Sequence, residues 1–369
     1  MPYQLCTRAR SLLHVRRRSK RFDSTRVIRW LLEEENPSVR YFALTDLLHK
    51  TEQNTDVCDA KRALHQSTVV KKILSKQKRG GFWEDRDNPY DPKYRASYWT
   101  LMLLAQLGAD QTDPQVKKAC EFILRFQHRQ GGFSSETEKT ARRVFTWRRQ
   151  RGKAVPPRAE WVRSYVREGQ LTCITGNVLT ALMRTGYRPQ DRVQKALAWL
   201  VQVQNVDGGW LCPYWRAHVN DTHGCFYGTI CPLEAFSMVR QKDRTKAMKQ
   251  AIERGIEFLL MHRLYKADHH KFRVIKKSWC AFGFPYFYGY DILRGLDVVT
   301  RLGCVDDARL SDAVNVLVSK RKNDGTWVLD KSPMGRMYVN LEPKGKPSKW
   351  ITLIALRTLA RLKCASTAQ

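Results

Sequence analysis

Residues 209–225 read Gly209-Trp210-Leu-Cys212-Pro-Tyr214-Trp215-Arg216-Ala-His218-Val-Asn-Asp221-Thr-His223-Gly-Cys225. Thiolates and imidazoles crowded into one short segment are the soft ligands that a tetrahedral zinc site selects. Zinc would hold such a thiolate ionised at neutral pH, in a structural role or to activate an incoming thiol. The expected ligands are Cys212, His223 and Cys225, with Cys173 approaching from one repeat earlier and Asp221 as a supporting acceptor. Paired C-x-x-C knuckles are missing, so this is no zinc ribbon. The alternative is that Cys212 and Cys225 are buried thiols and His223 caps a helix.

A second stretch, Trp279-Cys-Ala-Phe282-Gly-Phe284-Pro-Tyr286-Phe287-Tyr288-Gly-Tyr290-Asp291, is densely aromatic. Turned inward, Trp279, Phe284 and Tyr286, together with Trp215, would wall a cavity for an apolar ligand. Their ring faces would also stabilise a carbocation. Tyr288, Tyr290, Asp291 and Asp221 are the candidate catalytic groups beside it. Ordinary core packing would use the same residues.

The chain has 66 Lys and Arg against 35 Asp and Glu, a formal net charge of +31. That field favours polyanions: nucleic acid, diphosphate groups or an anionic membrane surface contacted peripherally. One basic stretch runs from Arg8 to Arg21. Another, Lys139 to Arg167, interleaves cations with Phe145, Trp147, Trp161 and Tyr165, a pattern able to stack bases. A solvated basic surface on a generally basic protein is the more ordinary reading. Arg158, Arg163 and Arg216 are the anion-binding candidates. The small acidic loop of Asp85, Asp87 and Asp91 reads as a solvated turn rather than a magnesium site. Asp306-Asp307 reads as a helix cap. The sequence contains no D-x-D-D acid motif, G-x-S-x-G elbow, P-loop or dinucleotide fingerprint.

The elements that must position these groups repeat along the chain. Four segments join a helix end to a glycine and an aromatic: Gln77 to Trp83, Gln127 to Phe133, Gln204 to Trp210 and Arg321 to Trp327. Three fit Q-x-x-x-G-x-[WF], and the fourth begins with Arg. Their glycines, Gly81, Gly131, Gly208 and Gly325, are 50, 77 and 117 residues apart. The middle gap holds the basic insertion, and the last has room for a degenerate turn near His262 to His270. Amphipathic helices precede the turns, as in Val116, Ala119, Phe122, Ile123 and Phe126. Apolar helices follow at Tyr98–Leu107, Thr175–Met183, Gly228–Val239, Ile292–Leu302 and Ile351–Leu362. No run alternates with period two, so essentially no sheet is expected. Two more helices, Thr25–Glu35 and Pro37–His49, read as an N-terminal cap.

These turns resemble the QW motifs of squalene and other terpenoid cyclases, over roughly Val69 to Leu362. The chain is similar to the terpenoid cyclase and protein prenyltransferase superfamily. That resemblance implies an all-α fold, an α/α toroid of helix pairs, with an isoprenoid or thiol substrate in a central cavity. In prenyltransferase β subunits, zinc binds a D-G-C-[YF] segment and a later His. His223-Gly224-Cys225-Phe226 is similar, with His in place of Asp, and the later His position falls near Tyr288. The cations that precede that segment in the family fall here on Ala217 and Asn220, with Arg216 one residue off.

The expected organisation is a basic arm at 1–22, a helical cap at 23–66 and a toroid at 67–369 with a basic insertion at about 134–170. The expected function is prenyltransferase-like or terpene-cyclase-like, with zinc as the candidate cofactor and no role for magnesium. The alternative is a non-catalytic toroid that binds nucleic acid through the insertion. Ten scattered cysteines, no secretory signal and no apolar run long enough for a transmembrane helix point to a reducing cytoplasm. The oligomeric state is left open.

Overall fold

A computed structural model describes residues 24–187, 191–212, 221–333 and 335–366. Trp215, Arg216 and the basic arm at 1–22 lie outside the described residues. The described chain is almost entirely helical: α1 (Ser24–Leu31), α2 (Pro37–Phe42), α3 (Thr55–Gln66), α4 (Thr68–Leu74), α5 (Ser97–Gln106), α6 (Pro114–Leu124), α7 (Glu138–Gln150), α8 (Arg158–Glu168), α9 (Thr172–Arg184), α10 (Asp191–Gln202), α11 (Phe226–Ser237), α12 (Lys246–Met261), α13 (Ile292–Arg301), α14 (Ser311–Ser319) and α15 (Lys349–Ser366). Two antiparallel ribbons, Lys266–Ala267 with Arg273–Val274 and Trp327–Val328 with Pro347–Ser348, are the strands among the described residues.

Burial separates the helices into two layers. Every residue of α5 is buried, as is nearly all of α9, α11 and α13, so these form the inner wall. The preceding helices α6, α10, α12 and α14 bury one stripe each and form the outer layer. An apolar face against one neighbour gives an amphipathic helix, whereas burial on all sides removes the periodicity. Inner helices pack in the order α5, α9, α11, α13, α15, and α15 then packs on α2. Phe42 and Leu64, from α2 and α3, pack at Gly108 just beyond α5. The Lys61 ammonium donates to the Gly108 carbonyl at 3.3 Å. The N-terminal helices therefore occupy the seam of the ring between α15 and α5.

The repeated turns share one construction. Gly81, Gly131, Gly208 and Gly325 have φ of 83°, 117°, 88° and 87°, a region that L side chains rarely adopt. A Cβ on Gly208 would stand 2.5 Å from the Arg254 carbonyl oxygen of the next outer helix, and one on Gly131 2.5 Å from that of Lys195. The indoles of Trp83, Trp210 and Trp327 donate to the carbonyls of Ile73, Leu200 and Leu317, at 3.0, 2.7 and 2.8 Å. The backbone N–H groups of Trp83, Phe133, Trp210 and Trp327 donate to hydroxyls on inner helices, those of Ser97, Thr175, Thr229 and Thr352. Each aromatic thus seals its own outer helix while its backbone is fastened to the inner one.

Two expectations shift. The helix expected to reach Glu35 stops at Leu31, before the acidic run Glu33 to Glu35, whose charges oppose the negative end of a helix. The helix expected to reach His49 widens after Phe42 into a π turn, Ala43–Leu47, that is capped at Leu48, and His49 beyond it has φ of 50°. The insertion forms a hairpin of α7 and α8. Trp161 donates to the Ala141 carbonyl at 3.0 Å and its ring lies 6.4 Å from that of Phe145. No described helix is long and apolar enough to cross a membrane.

Candidate functional site

Segments leading into the inner helices meet in an aromatic chamber of about 280 Å³. Tyr94 comes from before α5, Tyr227 from the first turn of α11, and Trp279, Phe284, Phe287 and Tyr288 from the run that leads to α13. Gln106 pins that run across the ring. Its side-chain nitrogen donates to the Tyr286 carbonyl at 2.6 Å, and its oxygen accepts the Tyr286 N–H at 2.8 Å. Trp279 donates to the Tyr227 hydroxyl at 3.3 Å and lies 4.5 Å from the Phe226 ring. Phe284 stacks on Trp350 of α15, with centroids 4.3 Å apart and planes within 12°.

Asp291 is buried at the chamber wall, where it caps α13. One oxygen accepts the Arg294 N–H at 2.9 Å, the other the Gly283 N–H at 3.1 Å, and the Lys331 ammonium is 3.8 Å away. Burial nonetheless pushes its carboxyl above the usual carboxylate range, outweighing those three influences. Tyr290 is also buried, but its hydroxyl donates to the Leu264 carbonyl at 2.7 Å and so has a structural partner. Burial, with the Tyr288 phenol adding to it, pushes Tyr94 up to about 12.

The thiols separate from the histidine. Cys173 and Cys212 stand 3.4 Å apart. The Cys173 thiol brings Cys212 down to about 6 against the effect of burial, helped by Thr172, while the same pairing pushes Cys173 up. Cys225 caps α11 by accepting the Gly228 N–H at 3.0 Å, and burial pushes its thiol up to about 11. The His223 Nδ1 lies 2.7 Å from its neighbour's carbonyl, and its ring packs on Phe258 and His262. Asp221 accepts the His223 N–H at 3.0 Å. Among the described residues, no group of three or more His, Cys, Asp or Glu side chains is arranged to hold a metal ion. Among the described residues, the candidate sulfur ligands make one direct contact, Cys173 with Cys212.

Arg158 and Arg163 are exposed on α8, well apart in sequence from every chamber segment. Sequence reasoning passed over Tyr94 and Tyr227, which enter the chamber singly from other repeats. It also passed over charges inside apolar helices. Glu234 lies within Gly228–Val239, and Arg294, Asp297 and Arg301 recur at helical spacing within Ile292–Leu302. In the fold they meet. Glu234 accepts from Arg294 at 2.6 Å, from Arg184 at 2.9 Å and from Arg301 at 3.4 Å. Asp297 accepts from Arg357 at 2.9 Å and from Arg361 at 2.5 Å. Burial would raise the Glu234 carboxyl, yet the guanidinium groups bring it down to about 2.

A ring of helix pairs, four of them sealed by a glycine-aromatic turn, around an aromatic chamber defines an α/α toroid. Residues 14–267 match the prenyltransferase alpha-alpha toroid domain. The chain belongs to that family. A squalene–hopene cyclase from Zymomonas mobilis is 23% identical over 191 residues, which cover 48% of this chain and 23% of the cyclase. The match thus spans about a quarter of the length of that curated relative. Among solved structures, a protein from Actinoplanes is 16% identical, with a TM-score of 0.44, covering 92% of this chain and 98% of its own. The type II terpene cyclase MstE from Scytonema, without ligand, is 18% identical, with a TM-score of 0.41 and coverage of 90% and 88%.

Proposed function

We propose that the aromatic chamber binds an isoprenoid-class hydrocarbon and that Asp291 protonates it in the manner of a terpene cyclase. One observation carries the reading. Eight aromatic side chains line the chamber, and at its wall stands a buried carboxyl that burial shifts toward its neutral form. A neutral carboxyl can add its proton to an alkene carbon, leaving a carboxylate and a carbocation that the ring faces stabilise. Loss of a proton from the hydrocarbon closes the sequence. Family membership and the cyclase relative support the substrate class. The chamber lies near the lower end, roughly 300 Å³, of typical ligand pockets. The test is quenching of tryptophan fluorescence by geranylgeraniol and by squalene, with products followed by mass spectrometry. Saturable quenching, weakened at least tenfold in Tyr227→Ala, supports the reading. Quenching that Tyr227→Ala leaves unchanged removes it.

A second reading, nucleic-acid binding through α7 and α8, is favoured by Trp147. Its ring is 44% exposed, with Arg151 at 4.2 Å and Lys153 at 5.3 Å. Phe145, Trp161 and Tyr165 pack within the hairpin and offer bases far less. Binding of poly(dT) that weakens about tenfold in Trp147→Ala, in line with ~1–3 kcal/mol per stacked base, supports this reading. Binding indifferent to Trp147 reduces it to surface charge.

A further inference from the structure

A second cavity, of about 770 Å³, lies where α5, α9, α11 and α13 end, and it is open beside the exposed His49. It shares Phe284 and Tyr286 with the aromatic chamber and sets apolar groups such as Phe42, Trp350 and Ile354 beside a cluster of arginines and carboxylates. Arg184, Arg301, Arg357 and Arg361 line it, and Arg294 stands behind its wall. Among the described residues, these five guanidinium groups share three carboxylates: Asp46, Glu234 and Asp297. Lys61, also in the lining, is balanced by Asp110 at 2.8 Å.

Cations at helix C-termini stabilise the helix dipole, which explains why Arg184 and Arg301 end α9 and α13. It does not explain the unmet hydrogen bonds. The buried Arg301 Nε makes no hydrogen bond, although it is ion-paired with the Asp297 carboxylate at 3.3 Å. One of its terminal nitrogens reaches only the Met238 sulfur at 3.9 Å. The Tyr286 hydroxyl and the Asn177 amide nitrogen are likewise buried without partners. Asn177 lines a recess that shares Arg184, Glu234 and Tyr286 with the cavity. All three orphaned groups can donate, and two of them can only donate. Their complement is a ligand made of acceptors that carries negative charge.

We infer that this cavity is a binding site for a phosphate-class oxyanion, free or as an ester, held by Arg301 with Tyr286. Guanidinium groups match phosphate oxygens in pairs, and an anion here would offset the two charges in excess. Burial lowers Arg184 to about 10, with Arg301 and Arg357 adding to it and Glu234 and Asp297 working the other way. The site stands whether or not the aromatic chamber takes an isoprenoid.

The experiment is calorimetric titration of the full chain at 150 mM NaCl with inorganic phosphate, inorganic diphosphate and decyl phosphate. One saturable equivalent is expected, with affinity at least tenfold weaker in Arg301→Gln and several-fold weaker in Tyr286→Phe. Tyr286→Phe removes only an unpartnered hydroxyl, so it carries the test if Arg301→Gln does not fold. Tighter binding of decyl phosphate assigns an ester, and equal binding a free anion. The double variant Arg142→Gln/Arg149→Gln, on the exposed hairpin, should bind as the parent does. No saturable heat up to millimolar probe overturns the site. So does binding lost in the hairpin variant but kept in Arg301→Gln and Tyr286→Phe.

Discussion

Arg294 meets Glu234 across 60 residues of chain, with its Nη2 at 2.6 Å and its Nε at 3.1 Å from the same carboxylate oxygen. Both side chains are nearly inaccessible, at 2% and 6%. Arg294 also donates to the Asn177 side-chain oxygen and to the carbonyls of Phe287 and Gly289. One guanidinium therefore joins α9, α11 and α13 to the aromatic run. The inner wall and the chamber are fixed by the same residue.

Stability should follow from this with a definite sign. Glu234 is depressed from 4.5 to about 2, so its contribution is complete above pH 4.5 and is lost as pH falls through about 2. The shift corresponds to about 3 kcal/mol. Glu234→Gln removes the carboxylate from the buried Arg294 and from the partly buried Arg184, and should cost ~3–5 kcal/mol in urea unfolding at pH 7. Equal stability of parent and variant at pH 7 would refute the assignment.

The turns offer an independent check. Thr229→Val deprives the Trp210 N–H of its acceptor at 2.9 Å, in a buried setting. A loss of ~1–3 kcal/mol is expected in urea unfolding. Gly208→Ala should cost a comparable ~1–3 kcal/mol, because its Cβ would meet the Arg254 carbonyl and its φ is left-handed.

Asp291→Asn should leave quenching by a bound isoprenoid within about twofold while lowering turnover by ~100-fold or more, the usual contribution of a placed acid. The carboxyl is raised above 3.8, so the active acid form persists at low pH. Turnover should decline as pH rises through that higher value. A rate that rises with pH over the same interval would show that the carboxylate, not the acid, is required.

Cys173 and Cys212 should react as a dithiol. One equivalent of phenylarsine oxide is expected to bind and to protect both from alkylation, since their sulfurs are 3.4 Å apart. Cys212→Ser should abolish uptake, and Cys58→Ser, an exposed thiol elsewhere, should not. Mass spectrometry reads both outcomes.

Much of the fold was legible because its signals are local. A turn glycine and its aromatic lie two residues apart, and the helix carbonyl that each tryptophan's indole reaches lies ten residues before it. The inner helices were visible as apolar runs for the same reason. The chamber was half legible. Trp279, Phe284 and Tyr288 stand in one run, while Tyr94 and Tyr227 arrive from separate repeats without any local signature. The arginine network was hidden, since a guanidinium in an apolar helix has no visible partner until the ring brings α11 to α13. His223 and Cys225 show the opposite error. Residues two apart along the chain flank Gly224 yet engage different neighbours, Phe258 and His262 for one and the Gly228 N–H for the other.

The seam of the ring has a consequence for synthesis. Asp46 pairs with Arg357, 311 residues further on. At roughly 5–20 residues per second, the first helices wait on the order of 15–60 s for the strand of chain that covers them. Until α15 emerges from the ribosome, Phe42 lacks Trp350, and the growing arc presents an apolar edge to the cell. Whatever shields that edge acts on a half-made ring.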